Sequence, residues 1–162
     1  MATITTLAGG ATAGRTAASV PYVVDAVIDF AAAATAKGEA LAAADVIECI
    51  SVPANTVILN AGFEVITAAG GESADNAWDL GTGVDADVFV DGFDGDAAAA
   101  GAYAQNAAAF QPLVVGATAD TIDLTIQAAT TAPTSGSLRV WAVLVSVDGR
   151  PATTEVDRDQ LA

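Results

Sequence analysis

From Thr121 to Gln127 apolar and polar residues alternate without a fault, which predicts a strand with one dry face and one wet face. The same period runs through residues 22–30. Tyr22, Val24, Ala26, Ile28 and Phe30 share one parity, and Val23, Asp25, Val27 and Asp29 the other. A third strand is predicted over Asp45–Val52, then a turn at Pro53-Ala54-Asn55, then a fourth in which Val57, Leu59, Ala61, Phe63 and Val65 alternate with Thr56, Ile58, Asn60, Gly62 and Glu64. Two alternating runs across so short a turn read as an antiparallel hairpin. Gly70-Gly71 marks the next reversal, and a short strand carrying Trp78 follows over 74–80. Strand resumes over 110–115, where Pro112 points to an edge or a strand start. Leu138–Val147 is apolar on both parities apart from Arg139 and Ser146, the pattern of a strand covered on both faces: either central with an oligomer partner or loop outside it, or itself an interface.

The intervals are less regular. Ala31–Ala44 is alanine-rich but offers no large apolar anchor before Leu41, so it predicts a loop with one helical turn. Residues 81–109 read as a long irregular loop. Residues 1–19, rich in Ala, Thr and Gly, read as an extended arm, open between a loose terminus and a segment that docks on a neighbouring subunit. The expected organisation is an N-terminal arm (1–19), one domain (20–147) and a polar C-terminal tail (148–162). The expected fold class is all-β: a jelly-roll-like β-sandwich of about eight antiparallel strands.

Composition narrows the function. Of 162 residues, 20 are acidic, 5 basic and none histidine, for a formal net charge of −15. Arg15, Lys37, Arg139, Arg150 and Arg158 are scattered and form no basic stripe. Binding a polyanion requires such a stripe to displace counterions, so neither nucleic acid nor an anionic membrane is an expected partner. The N-terminal residues carry no basic and apolar signal-peptide pattern, and no apolar run is long enough to span a bilayer, so no Sec-type export is expected.

Candidate chemistry is sparse. Without histidine there is no Ser-His-acid or Cys-His arrangement, and Gly81-Thr82-Gly83 lacks the lysine of a phosphate loop. Cys49 lies in a strand pattern with no basic neighbour and reads as a small buried hydrophobe. The one acidic concentration is Asp85, Asp87, Asp91, Asp94 and Asp96. These residues either cap turns and face water or wrap a calcium ion, although Phe89 stands where an EF-hand needs an oxygen. No cofactor and no catalytic residue is expected, which points away from an enzyme. Trp78 and Trp141 read as packing residues, with sugar stacking as the other use of an exposed indole.

Several stretches between Tyr22 and Val147 resemble one family. They are the strand Val23-Val24-Asp25-Ala26-Val27-Ile28-Asp29-Phe30, the segment Ile50-Ser51-Val52-Pro53-Ala54-Asn55-Thr56-Val57-Ile58, the Trp78-Asp79-Leu80-Gly81-Thr82-Gly83 turn leading to Asp87-Val88-Phe89-Val90-Asp91-Gly92, and the closing Ser137-Leu138-Arg139-Val140-Trp141-Ala142-Val143. In these the chain resembles the head-decoration, or cement, proteins of tailed bacteriophages, marine and cyanobacterial ones especially. The resemblance implies a structural virion protein, assembled in the host cytoplasm. It would be a homotrimer on the capsid exterior that ties major capsid protein subunits together. The expected contacts are Ile4, Leu7 and Arg15 in the arm and Trp141 and Val143 at a subunit face. The alternative is a carbohydrate-binding or adhesive β-sandwich using Trp78, Trp141 or Tyr103 as platforms.

Overall fold

The computed structural model describes residues 3–4, 20–71, 74–96, 98–106 and 112–147. Ten strands and one short helix occur among them: β1 (Thr3–Ile4), β2 (Tyr22–Asp29), α1 (Phe30–Lys37), β3 (Val46–Val52), β4 (Thr56–Gly70), β5 (Ala77–Thr82), β6 (Val90–Asp94), β7 (Tyr103–Gln105), β8 (Leu113–Val115), β9 (Asp120–Ala128) and β10 (Ser135–Ser146). They make an all-β sandwich. One sheet has the order β1-β3-β9-β5-β6; the other has β2-β10-β4-β7, with β8 also on β4. The pairing is nested. β2 pairs with β10, inside that β3 pairs with β9, and β4 and β5 then sit on the inner flanks of β10 and β9. Every pairing is antiparallel except the short β1–β3 contact.

The alternation in β2 and β9 holds in three dimensions. Val24, Ala26 and Ile28 point into the core, as do Ile122, Leu124 and Ile126, while Val23, Asp25 and Val27 face out. The two sheets meet on a ring cluster around Trp78, which is fully buried. Phe30 lies 5.2 Å from it, Phe93 5.8 Å and Phe63 6.3 Å, centroid to centroid. The indole Nε1 donates to Asn76 Oδ1 at 3.1 Å, so the one polar atom of the ring is satisfied in the dry interior. Cys49 is buried as expected. Burial pushes its thiol far above the ordinary range, so it is chemically quiet.

Four expectations change. First, β3 and β4 do not form a hairpin: the 53–55 turn, with Asn55 left-handed at φ 56, carries the chain from one sheet to the other. A short turn between alternating runs fits a sandwich corner as well as a hairpin, since each strand finds partners elsewhere. Second, a register shift between β4 and β10 near residues 58–60 moves the buried parity, so Ile58 is buried while Val57 and Leu59 are half-exposed.

Third, Ala31–Ala44 holds more helix than one turn. Asp29 caps α1 by accepting from Ala32 N at 2.8 Å, Gly38 closes it at φ 82, and the anchor is Phe30 at its start. Lys37 then pins the following loop through a buried ion pair with Asp45 at 2.7 Å. Fourth, β6 and β7 lie within the supposed loop of 81–109, where glycines and aspartates obscure their short alternation.

β10 is central in its sheet, but only one of its faces is buried. Leu138, Val140, Ala142 and Leu144 are sealed, whereas Trp141, Val143 and Val145 are half-exposed.

Trp78→Ala removes the largest side chain at the centre of the sandwich. It is expected to destabilise the fold by about 3–5 kcal/mol in urea unfolding followed by far-UV circular dichroism.

Candidate interaction surface

Trp141 and Val143 stand together on the outer face of the β2-β10-β4 sheet. Trp141 lies in register with Asp25 on β2 and Gly62 on β4; Val143 lies in register with Val23 and Asn60. Gly62 is there for close approach: a Cβ on it would sit 2.9 Å from Trp141 Cζ2 and collide with the Ala104 carbonyl of β7. The indole therefore lies flat over the neighbouring strand and is half-covered. Beside it, Val23 is 69% exposed and Val27 49% exposed. Tyr103 on β7, opposite Glu64, is 70% exposed. The result is an apolar strip, across four strands, on a surface that is otherwise acidic.

One cation crosses that strip. Arg139 lies 3.4 Å from Glu64 Oε2 and 3.9 Å from Asp25 Oδ2, so it ties β4 to β2 across the face. All three side chains are about half exposed, and solvent leaves such pairs with little net stabilisation. They interrupt the strip: Arg139 and Glu64 lie in one row between Val27 and Tyr103, and Asp25 lies beside Trp141.

The structure brings Trp141 and Val143 together, but Ile4 lies on the other sheet. The backbone of Ile4 pairs in β1 with Ile47, at the edge of the other sheet. Leu7 and Arg15 lie outside the described residues, as does the proposed tail. Val23 and Val27 are absent from the sequence-derived candidates, although their parity shared with Asp25 and Asp29 marks them as valines on the wet side of a strand. Trp78, one of the sugar platforms of the alternative reading, is sealed in the core and unavailable.

The acidic residues occupy the opposite sheet. Asp85 and Asp87 are on the loop after β5, Asp91 and Asp94 on β6, and Asp96 just beyond it. Among the described residues no three acidic or cysteine side chains converge as metal ligands would. The loop instead folds back over the sheet, with the Asp85 and Ala86 backbone against Gly81, where any side chain would clash. Asp123, in register with Gly81 and with Glu48, is buried on this face, and its Oδ1 has no hydrogen-bond partner. Burial, opposed by a bond from Thr121 and reinforced by Glu48 and Asp120, raises its pKa to about 6.

Three solved structures share this fold. They are the capsid asymmetric unit of cyanophage Pam1 (TM-score 0.60, 15% identity, 86% of this chain and 94% of that one), the capsid of Ralstonia phage GP4 (0.57, 14%, 89% and 97%) and the acidic stable capsid structure of Helicobacter pylori bacteriophage KHP30 (0.56, 11%, 81% and 91%). The coverage is nearly end to end on both sides. No protein-family description and no curated protein matches the sequence.

The raised Asp123 pKa fixes the sign of a pH effect. The folded chain holds this proton more tightly than the unfolded one, whose aspartate titrates near 3.9. The associated stabilisation is complete below that value and is lost as pH rises through about 6. Asp123→Asn is therefore expected to be more stable than the native chain by about 1–2 kcal/mol at pH 8, with the gap closing by about pH 4, in denaturant titrations at both values.

Proposed function

We propose that this protein is a structural component of a bacteriophage virion: a decoration, or cement, protein on the outside of the head that stabilises contacts between major capsid protein subunits. The observation that carries the reading is the fold, shared over 86% of the chain with a chain in a cyanophage capsid. The nested strand order, first described long strand with last and next with next-to-last, supports a jelly roll, an architecture common in viral shells. The chemistry is consistent with such a role. A sandwich of buried aromatic and branched residues is rigid, and rigid bodies lose little entropy on docking.

The apolar strip around Trp141 and Val143 is the proposed subunit face, with Val23 and Val27 extending it. Three copies meeting there would form the homotrimer. Ile4, Leu7 and Arg15 are the proposed contacts made by the arm. The high negative charge keeps the free protein from associating at random, so contact depends on shape and apolar area.

Adding the purified chain to heads that lack it tests the reading. Saturable binding at fixed stoichiometry, with a higher temperature for DNA release, is expected. Val27→Asp with Val143→Asp is expected to abolish the trimer in light scattering while leaving the circular dichroism unchanged. Heads that bind no protein, at any ratio, would refute the cement role.

A further inference from the structure

Residues 82–88 double back over the outer face of the β3-β9-β5 sheet and are held there by few contacts. Thr82 and Phe89 are buried at the two ends, while residues 83–87 are all exposed. The Thr82 amide donates to the Asp85 carbonyl at 2.7 Å, and the Phe89 amide to the Leu80 carbonyl at 2.9 Å. Inside the turn, Thr82 Oγ1 accepts only long bonds, from Val84 N at 3.3 Å and Asp85 N at 3.4 Å. A segment with so little buried opens at lower cost than the sandwich beneath it.

The backbone of Asp85 and Ala86 lies against Gly81, which stands in register with Asp123. Positions directly opposite across two strands are about 5 Å apart, so the segment covers the Asp123 carboxyl. Asp123 is 6% exposed, and its Oδ1 has no hydrogen-bond partner. Two residues along β9, Thr125 Oγ1 is a second buried oxygen without one.

The ionisable groups around Asp123 are acidic or neutral. Glu48 faces it from β3 and Asp120 from its own strand; Asp79 lies on β5, and Asp85 and Asp87 on the covering segment. Asp120 also touches the base of that segment, since a Cβ on Gly83 would sit 2.9 Å from its Oδ1. The Cys49 thiol, on the core side of β3, is kept neutral by burial. Of the described cations, Lys37 is bonded to Asp45 and Arg139 lies on the opposite sheet. A protonated Asp123 can stay in this dry, cation-free place. An ionised one leaves a buried charge with an unpaired oxygen, and water is the relief within reach. Asp85 and Asp87 add repulsion from above once they are charged.

We propose that residues 82–88 form a flap that closes over Asp123 while its carboxyl is protonated and lifts to admit water once it ionises. Val84, Asp85 and Val88 of the flap also line a groove of about 640 Å³, whose other wall is residues 113–120, so lifting the flap alters that groove. The inference concerns the isolated chain and does not rest on the capsid reading.

The sign follows from which form holds the proton. Burial raises the pKa of Asp123 to about 6 in the closed form, and Asp79 (by burial) and Asp85 (by its bond with Asp87) move the same way. Closure is therefore favoured at low pH and lost as pH rises through about 6.

Amide hydrogen exchange of the full chain, resolved by NMR and corrected for the intrinsic pH dependence of exchange, tests the flap. Protection of the Thr82 amide is expected to fall about tenfold from pH 5 to pH 8. Low urea is expected to leave that amide's rate unchanged while speeding the β10 amides, because a local opening exposes little surface. In Asp123→Asn the fall with pH is expected to shrink to about twofold, whereas Asp85→Asn/Asp87→Asn is expected to keep most of it. Equal protection at both pH values would overturn the flap, as would a Thr82 rate that follows β10 in urea. So would a fall that is as steep in Asp123→Asn, or one that vanishes in Asp85→Asn/Asp87→Asn.

Discussion

The fold depends on the packing of Trp78 between two sheets. The indole is enclosed by Phe30 from the start of α1, Phe63 from β4 and Phe93 from β6, so one side chain fastens pieces of both sheets and the helix. The protein has few aromatics and much alanine, and alanine contributes little to a core. Concentrating four rings at one point gives the sandwich a centre from which the branched residues of β9 and β10 extend the dry layer. The Nε1 bond to Asn76 satisfies the indole's one polar atom, while Asn76 Nδ2 is buried without a partner.

Charge is distributed around that core with different consequences on each side. The β2-β10-β4 face sets two carboxylates, Asp25 and Glu64, among its apolar positions, with Arg139 bridging them. The other face accumulates aspartates under a folded-back loop, and there Asp123 is buried with one oxygen unpaired. Such an arrangement costs stability at neutral pH. An acidic surface of this kind discourages nonspecific association.

Much of this was legible in the sequence. The parity of β2 and β9 follows from which residues alternate, and the burial of Cys49 from a small apolar side chain in a strand with no basic neighbour. The hairpin error at residues 53–55 shows the limit of that signal: alternation sets which side of a strand is buried, not which strand lies beside it. The bulge near Ile58 is invisible because both parities there are apolar. α1 is hidden by alanine, whose helix preference is real but whose anchor, Phe30, looks like the end of a strand. The surface strip was half legible: Trp141 and Val143 stood out by size, whereas Val23 and Val27 were masked by the aspartates between them. The groove has no local signal, since its walls come from segments thirty residues apart.

The nested order of strands has a consequence for how the molecule is made. Tyr22 meets Leu144, so the second described strand must wait for the last before its edge is covered. Contacts this distant in sequence slow folding, because a long loop must close before any reward arrives. During synthesis the early strands emerge from the ribosome with unsatisfied edges and no partner yet translated. The sandwich therefore closes late, with the edges of its early strands open until the last strand arrives.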